Sequence, residues 1–277
     1  MSKEFHSPNL ESKSVEELTL QLMEAHSRLQ EMQKEREMIL ANISHDLRAP
    51  LTAIRSAVDL ALSDASLSKE DLTNTIALID RRTRTLEDLI NDMYYLFCIE
   101  DSSRSLNTTK LDACSFLEEY FYDAIIDSRY DNFDMQLDVP SNLKCTIDID
   151  LNKMTRVLDN LLTNAAKYAG DNATYICLGA KIVDGASTDA ATSRKQLSIS
   201  VSDNGCGIAP EALPHIFTRT YTISSSRTPG SQSSGSGLGL SIARAIVEKL
   251  GGSISVQSKL NVGTEFTILL PCSTAEV

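Results

Sequence analysis

From about Ser14 to Ile43 the apolar residues fall at Leu18, Leu22, Ala25, Leu29, Met32, Ile39 and Ile43, in steps of four and three except where Arg36 takes a core slot. This is a heptad seam. The run contains no Gly or Pro and is rich in Glu, Gln, Lys and Arg, so it predicts one long helix with a narrow apolar stripe. A lone solvated helix would leave that stripe wet and marginally stable, so the stripe asks for a partner. The pattern continues through Leu47, Leu51, Ile54, Val58 and Leu62, across Pro50, which removes an i to i−4 hydrogen bond and predicts a bend.

Ser63 to Ser68 is a polar turn, and Ser68 with Asp71 forms a capping box that opens a second helix. Its stripe is Leu72, Ile76, Ile79, Leu86, Leu89, Ile90, Met93 and Leu96. The two apolar faces are too wide to satisfy each other alone. Two such hairpins from two chains close a four-helix bundle, which predicts a homodimer.

A different pattern follows the polar, aperiodic stretch Asp101 to Thr109, where a hinge is expected. Helical periods at Cys114 to Asp127, Leu151 to Ala169 and Leu238 to Leu250 mix with strand alternation at Tyr175 to Val183, Gln196 to Ser202, Ser253 to Ser258 and Thr264 to Leu270. The fold class is therefore α+β: a helical part followed by an α/β sandwich, one sheet covered by helices. Asp184 to Lys195 reads as a long hairpin loop. Ile223 to Ser236 is low-complexity Ser/Gly, and a loop of that length in a compact domain works as a lid.

Composition narrows the function classes. The 277 residues carry 26 Lys+Arg against 38 Asp+Glu, a net charge of −12, with no basic run beyond Arg81, Arg82 and Arg84. Such a balance repels nucleic-acid backbone and anionic membrane, so nucleic-acid binding is not expected. Six scattered cysteines show no CxxC pair and no zinc-ligand spacing, and read as reduced, mostly buried thiols. No stretch approaches a membrane span and the first residues lack a signal-peptide core, so the expected location is cytoplasmic, with any membrane attachment residing in a sensor segment outside this sequence.

Four segments can carry chemistry. In Ser44-His45-Asp46-Leu47-Arg48-Ala49-Pro50, helical geometry sets His45 roughly 180° from Ile43, Leu47, Pro50, Leu51 and Ile54, facing water. Asp46 accepting the Nδ1 proton would leave Nε2 free to attack an electrophile, although a lone surface histidine can equally be incidental. On the helix around Asn160-Leu161-Leu162-Thr163-Asn164-Ala165-Ala166-Lys167-Tyr168, the polar residues Asn160, Asn164 and Lys167 share one face. Amide oxygens suit Mg²⁺ beside substrate phosphates, and an ammonium offsets phosphate charge; a merely solvated face would look the same.

Asp203-Asn204-Gly205-Cys206-Gly207 closes a strand with two glycines and leaves one carboxylate able to accept the exocyclic amine of adenine, or else makes an ordinary turn. Gly235-Ser236-Gly237-Leu238-Gly239-Leu240 runs into a helix, so successive amides and the helix N-terminus form an anion cradle. Its spacing is neither a dinucleotide fingerprint nor a P-loop.

Jointly the motifs HDLRAPL, DNLLTNAAKY, DNGCGI and GSGLGLSI, in that order over Glu37 to Pro271, resemble the sensor histidine kinases of two-component signalling. The resemblance implies an N-terminal signal-transmitting coiled coil (1–36), a dimeric phosphoacceptor hairpin (37–100), a hinge (101–109) and an ATP-binding α/β sandwich (110–277) shared with some topoisomerase, chaperone and mismatch-repair ATPases. It implies that His45 is phosphorylated, with Asp46 as orienter and base. Asn164 would coordinate Mg²⁺, Asn160 would contact Mg²⁺ or phosphate, Lys167 would bind phosphate and Tyr168 would pack on the nucleotide. Asp203 would recognise adenine, and Gly205, Gly207, Gly235, Gly237, Leu238 and Gly239 would shape the loops around ATP. The phosphoryl group would then pass to an aspartate of a response regulator.

Three departures qualify it. In Ile216-Phe217-Thr218-Arg219-Thr220-Tyr221-Thr222, Thr220 and Thr222 stand where the family has an aromatic and a basic residue, which implies weaker lid docking or phosphate contact. Ala49 stands four residues after His45, where the family commonly has Thr or Asn to orient a hydrolytic water, so weak regulator-phosphatase activity is expected. No segment reads as a sensor domain. The competing readings are a non-catalytic ATP-binding scaffold and a Mg-dependent ATPase that releases phosphate independently of His45.

Overall fold

The computed structural model describes residues 10–63, 68–100, 106–170, 173–185, 195–219, 221 and 237–274. Two helices open the chain, α1 at Leu10–Ser63 and α2 at Lys69–Glu100. At 54 residues α1 is about 80 Å long and runs on as one helix through Pro50. The capping box opens α2: Ser68 Oγ accepts from Asp71 N at 3.1 Å and donates to the Asp71 carboxylate at 2.6 Å. Among the described residues no helix is long and apolar enough to cross a membrane.

The chain divides into two compact units, Met1–Thr83 and Arg84–Val277. In the first unit Leu22 is 72% exposed and Leu62 80%, and Leu18, Leu29, Leu51, Leu72 and Ile76 are exposed as well. One copy of the hairpin thus leaves its stripes largely wet. The cut falls inside α2, well before the expected hinge. The cause is packing: Leu96 and Ile99 of the last α2 turns are buried in the same core as the sheet that follows. Residues 101–105 of the expected hinge lie outside the described residues. Its later part is pinned, with Asn107 N donating to Asp150 Oδ2 at 3.2 Å and Thr109 already in a strand.

The second unit then runs β1 (Thr109–Asp112), α3 (Ala113–Ala124), β2 (Asp134–Asp138), β3 (Cys145–Ile149), α4 (Leu151–Lys167), β4 (Tyr175–Asp184), β5 (Lys195–Asp203), α5 (Gly239–Lys249), β6 (Ser253–Lys259) and β7 (Gly263–Thr274). The seven strands form one sheet in the order β1-β3-β7-β5-β4-β2, with β6 also on β7. All pairs are antiparallel except β2 with β4. Twelve-residue β7 serves two neighbours along one edge, pairing with β6 through Leu269 and with β3 from Cys272 onward.

Ile147, Ile149, Ile176, Leu178, Leu197, Ile199 and Ile268 rise from the sheet to meet Leu117 of α3, Met154, Leu158, Leu161 and Leu162 of α4, and Ile242 and Ile246 of α5. Such side chains are each worth about 1.5–3 kcal/mol when fully buried. The expected hairpin closes at its base, where Asp184 pairs with Lys195 in register and through Lys195 Nζ at 2.6 Å; 186–194 lie outside the described residues. None of the six cysteines is in a disulfide among the described residues; against the expectation of mostly buried thiols, only Cys145 is buried, and Cys206 is exposed.

Candidate functional site

His45 lies on the solvent face of α1, its side chain 72% exposed. Its Nδ1 lies 3.2 Å from Asp46 Oδ1, an arrangement that leaves Nε2 directed away from the carboxylate. Pro50, on the opposite side of the helix, is buried, whereas Ala49 is exposed. The local geometry is that of an accessible imidazole held by its neighbour.

In the second unit, α4 begins at Asp150, whose carboxylate accepts from Lys153 N, and its inner face is Met154, Val157, Leu158, Leu161, Leu162 and Ala165. Burying that face turns Asn160, Asn164 and Lys167 to one side. Asn160 Nδ2 donates to Gly239 O at 3.1 Å, which ties α4 to the start of α5. A Cβ on Gly239 would sit 3.2 Å from Asn160 Oδ1, so glycine keeps the space before that amide oxygen open. Gly237 has φ +65° and Leu238 is fully buried, anchoring the turn into α5, which has no side-chain N-cap. The positive end of the α5 dipole therefore lies beside Asn160. Burial lowers the Lys167 pKa, and its Nζ lies 5.0 Å from the Tyr168 ring centroid. An anionic ligand beside it would favour the charged form and offset that shift.

Asp203 ends β5 and is bonded inward: Gly205 N donates to Oδ1 at 2.8 Å. Burial raises its pKa, opposed by the amides of Gly205 and Thr264. Gly205 presses on Ala169, where a Cβ would come within 2.8 Å of the carbonyl oxygen. Gly207, at φ +66°, passes so close to Lys259 O that a Cβ would lie 2.2 Å away. Tyr168 caps the end of α4, and its carbonyl accepts from Cys206 N at 3.4 Å.

The second, third and fourth sequence motifs thus converge within one unit, through Asn160 with Gly239 and through Ala169 with Gly205. Gly235, Thr220, Thr222 and the expected lid at Ile223 to Ser236 lie outside the described residues.

Known proteins can be set beside this geometry. The description "His Kinase A (phospho-acceptor) domain" matches residues 35–102, and "Histidine kinase-, DNA gyrase B-, and HSP90-like ATPase" matches 149–274. The sensor histidine kinase YcbM of Bacillus subtilis (strain 168) is 32% identical over 235 residues, 84% of this chain and 70% of that protein. The chain belongs to the sensor histidine kinase family. The sensor protein SrrB of Staphylococcus aureus is 30% identical over 258 residues, 92% of this chain, which spans 40% of SrrB. Among solved structures, full-length ShkA in complex with AMPPNP matches with a TM-score of 0.58 and 25% identity, over 86% of this chain and 46% of that one.

This histidine kinase therefore carries a phosphoacceptor region and an ATP-binding unit. Sequence reasoning passes over the residues that hold α4 from its other flank. Tyr120 OH donates to Asp159 Oδ1 at 2.9 Å, and Arg129 Nη1 to Thr163 Oγ1 at 3.2 Å. Asp159 and Thr163 each precede one of the two asparagines, so these bonds add to the buried face in holding the rotation of α4 that aims both amides. Their i, i+4 spacing is the available signal; their partners, on α3 and just after it, give none. Asn204 likewise goes unmarked, yet its Oδ1 accepts from Thr174 N and Tyr175 N and holds the Asp203 turn to β4.

Proposed function

We propose that the kinase transfers the γ-phosphoryl group of ATP to Nε2 of its own His45, and that the phosphoryl group then passes to an aspartate of a response regulator. The observation that carries this reading is that α4 touches Gly239 through Asn160 and packs against Gly205 of the Asp203 turn at its end, in one unit of a chain whose other unit bears an outward imidazole with a carboxylate on Nδ1.

Asp203 would accept the exocyclic amine of adenine, Tyr168 would pack on the nucleotide, and Lys167 with the amides at the start of α5 would bind phosphate. The donor set suits Mg²⁺, which takes few protein oxygens beside substrate phosphates, and the amide oxygens of Asn160 and Asn164 would hold it. That ion would neutralise charge on the phosphates. Asp46 keeps the histidine Nδ1–H engaged and draws the positive charge that develops on the ring when Nε2 attacks phosphorus; the P–O bond to ADP breaks as the N–P bond forms. Transfer requires these atoms to come within about 3–3.5 Å, and positioning supplies most of the rate.

The wet stripes at Leu18, Leu22, Leu29, Leu62 and Ile76 support a homodimer in which a second hairpin covers them. Ala49 supports weak phosphatase activity toward the regulator, since a methyl group cannot orient water.

Incubation with γ-labelled ATP tests the assignment. Acid-labile label on His45, absent from His45→Gln, is the expected result. Tight ATP binding without label would favour a scaffold, and steady phosphate release in His45→Gln would favour an ATPase.

A further inference from the structure

The polar face of α4 does not begin at Asn160. Extended back by two turns it takes in Arg156 and Lys153, giving Lys153, Arg156, Asn160, Asn164 and Lys167 at steps of three and four. At 100° per residue Arg156 lies about 40° from Asn160 around the axis and about 6 Å along it, within the span of an extended arginine side chain.

Both upstream cations are engaged by the end of α2. Arg156 Nη2 donates to Asp92 Oδ1, and its guanidinium carbon lies 4.0 Å from the centroid of the Tyr95 ring. Lys153 Nζ lies 4.7 Å from the same ring. Lys249 Nζ donates to Ile99 O at 2.8 Å, and Leu96 and Ile99 are buried beneath. All of these residues belong to the second unit.

A part-buried ion pair of this kind is a poor way to gain stability alone, because the desolvation cost offsets much of the attraction. It is a good way to hold a charged group in one of two places. A guanidinium is charged at any working pH and presents a planar fork of donors, which suits the charge spread over the equatorial oxygens of a transferring phosphoryl group.

Building on the kinase assignment, we propose that Arg156 is a further catalytic residue: released from Asp92 and Tyr95, it swings one turn along α4 to bond the transferring phosphoryl group, and its present contact with α2 holds it away. The α2 end is then an intramolecular competitor of the transition state. No bond is made or broken by Arg156 itself.

Two substitutions that break the same ion pair should therefore move the rate in opposite directions. Single-turnover labelling of His45 at saturating ATP and Mg²⁺ is measured for the full chain, with ADP affinity and thermal midpoint as controls. Asp92→Asn should raise the rate, by about fivefold if the coupling is of ordinary allosteric size. Arg156→Met should lower it by roughly a hundredfold or more at unchanged ADP affinity, the scale of losing one transition-state donor, and adding Asp92→Asn to Arg156→Met should restore nothing. Arg156→Lys, which keeps charge but loses the fork, should fall in the same direction, and it serves if the methionine variant does not fold. Rates that rise together would make Arg156 a latch only; rates that fall together would make the contact part of the active arrangement; unchanged rates would remove both roles. Any of these overturns the proposal while leaving the kinase assignment intact, whereas absence of label from His45 in the unaltered protein overturns the assignment itself.

Discussion

Asn160 Nδ2 donates to the carbonyl oxygen of Gly239 across 3.1 Å, joining the middle of α4 to the first residue of α5 over 79 positions of sequence. A Cβ at Gly239 would meet Asn160 Oδ1 at 3.2 Å, so Gly239→Ala must displace the amide by a few tenths of an ångström. Alanine also raises helix propensity by up to about 1 kcal/mol over glycine. The expected outcome is a thermal midpoint held or raised, with ATP binding weakened about fivefold, or about 1 kcal/mol. Asn160→Ala should weaken it by about tenfold or more, since both the tie and the amide oxygen go. Calorimetric titration with a non-hydrolysable ATP analogue separates the two effects, and a parallel loss of midpoint and affinity in Gly239→Ala would refute the local explanation.

Burial raises the Asp203 pKa more than the Gly205 and Thr264 amides lower it. Folded Asp203 thus holds its proton more tightly than the unfolded chain does. Its effect on stability is fully favourable below the unfolded pKa and is lost as pH rises through the raised folded value. Adenine recognition runs the other way, because the exocyclic amine bonds more strongly to an ionised carboxylate than to a neutral carboxyl group. ADP affinity should fall as pH drops, and the fall should begin above the range of an ordinary aspartate. Asp203→Asn should be weaker at neutral pH and lack that component. Subtracting the two profiles removes the titration of ADP itself, and superimposable profiles would dismiss the carboxylate as adenine acceptor.

These two sites mark what periodicity can and cannot reveal. The inner face of α4 follows from Val157, Leu158, Leu161 and Leu162, and observed Leu151–Lys167 ends two residues short of the expected span, where Tyr168 caps it. The β4–β5 hairpin emerges from alternation alone, because nine paired residues repeat the pattern often enough to be read. β1, β2 and β3 have only four or five residues each, too few for alternation to stand out, and edge strand β2 exposes Asp134, Gln136 and Asp138. Periodicity says which face of a helix is buried, never against what: the stripe of α2 reads as continuous, yet Leu96 and Ile99 lie in the core of the α/β unit. The Asn160–Gly239 tie has no spacing signature, and only resemblance to a family joins those motifs in advance.

Ala49 is exposed four residues after His45 on α1 and offers no atom to a water molecule. Ala49→Thr adds a hydroxyl there at little cost, since a surface substitution usually stays within about 0.5 kcal/mol. Dephosphorylation of a phosphorylated response regulator should be slow with the unaltered kinase and faster by about tenfold or more with Ala49→Thr, a general-acid–base scale effect of modest size. Labelling of His45 should be unaffected. Rapid regulator dephosphorylation by the unaltered kinase would eliminate the water-orienting argument.

α1 is one uninterrupted helix over Leu10–Ser63, so any change of register upstream is carried to His45 as rotation. Deleting one residue within Glu16 to Glu35 turns everything upstream of it by about 100° relative to the seam, and a deletion after Leu29 takes Leu18, Leu22 and Leu29 off the stripe of Leu47 and Leu51. Deleting seven residues leaves the stripe within about 20° of its former direction. If the seam transmits rotation, the single deletion alters the rate of His45 labelling and the seven-residue deletion restores it toward the starting value. Rates that track deletion length without this alternation would mean that α1 acts as a spacer, and rates indifferent to both would uncouple it from the phosphoacceptor site.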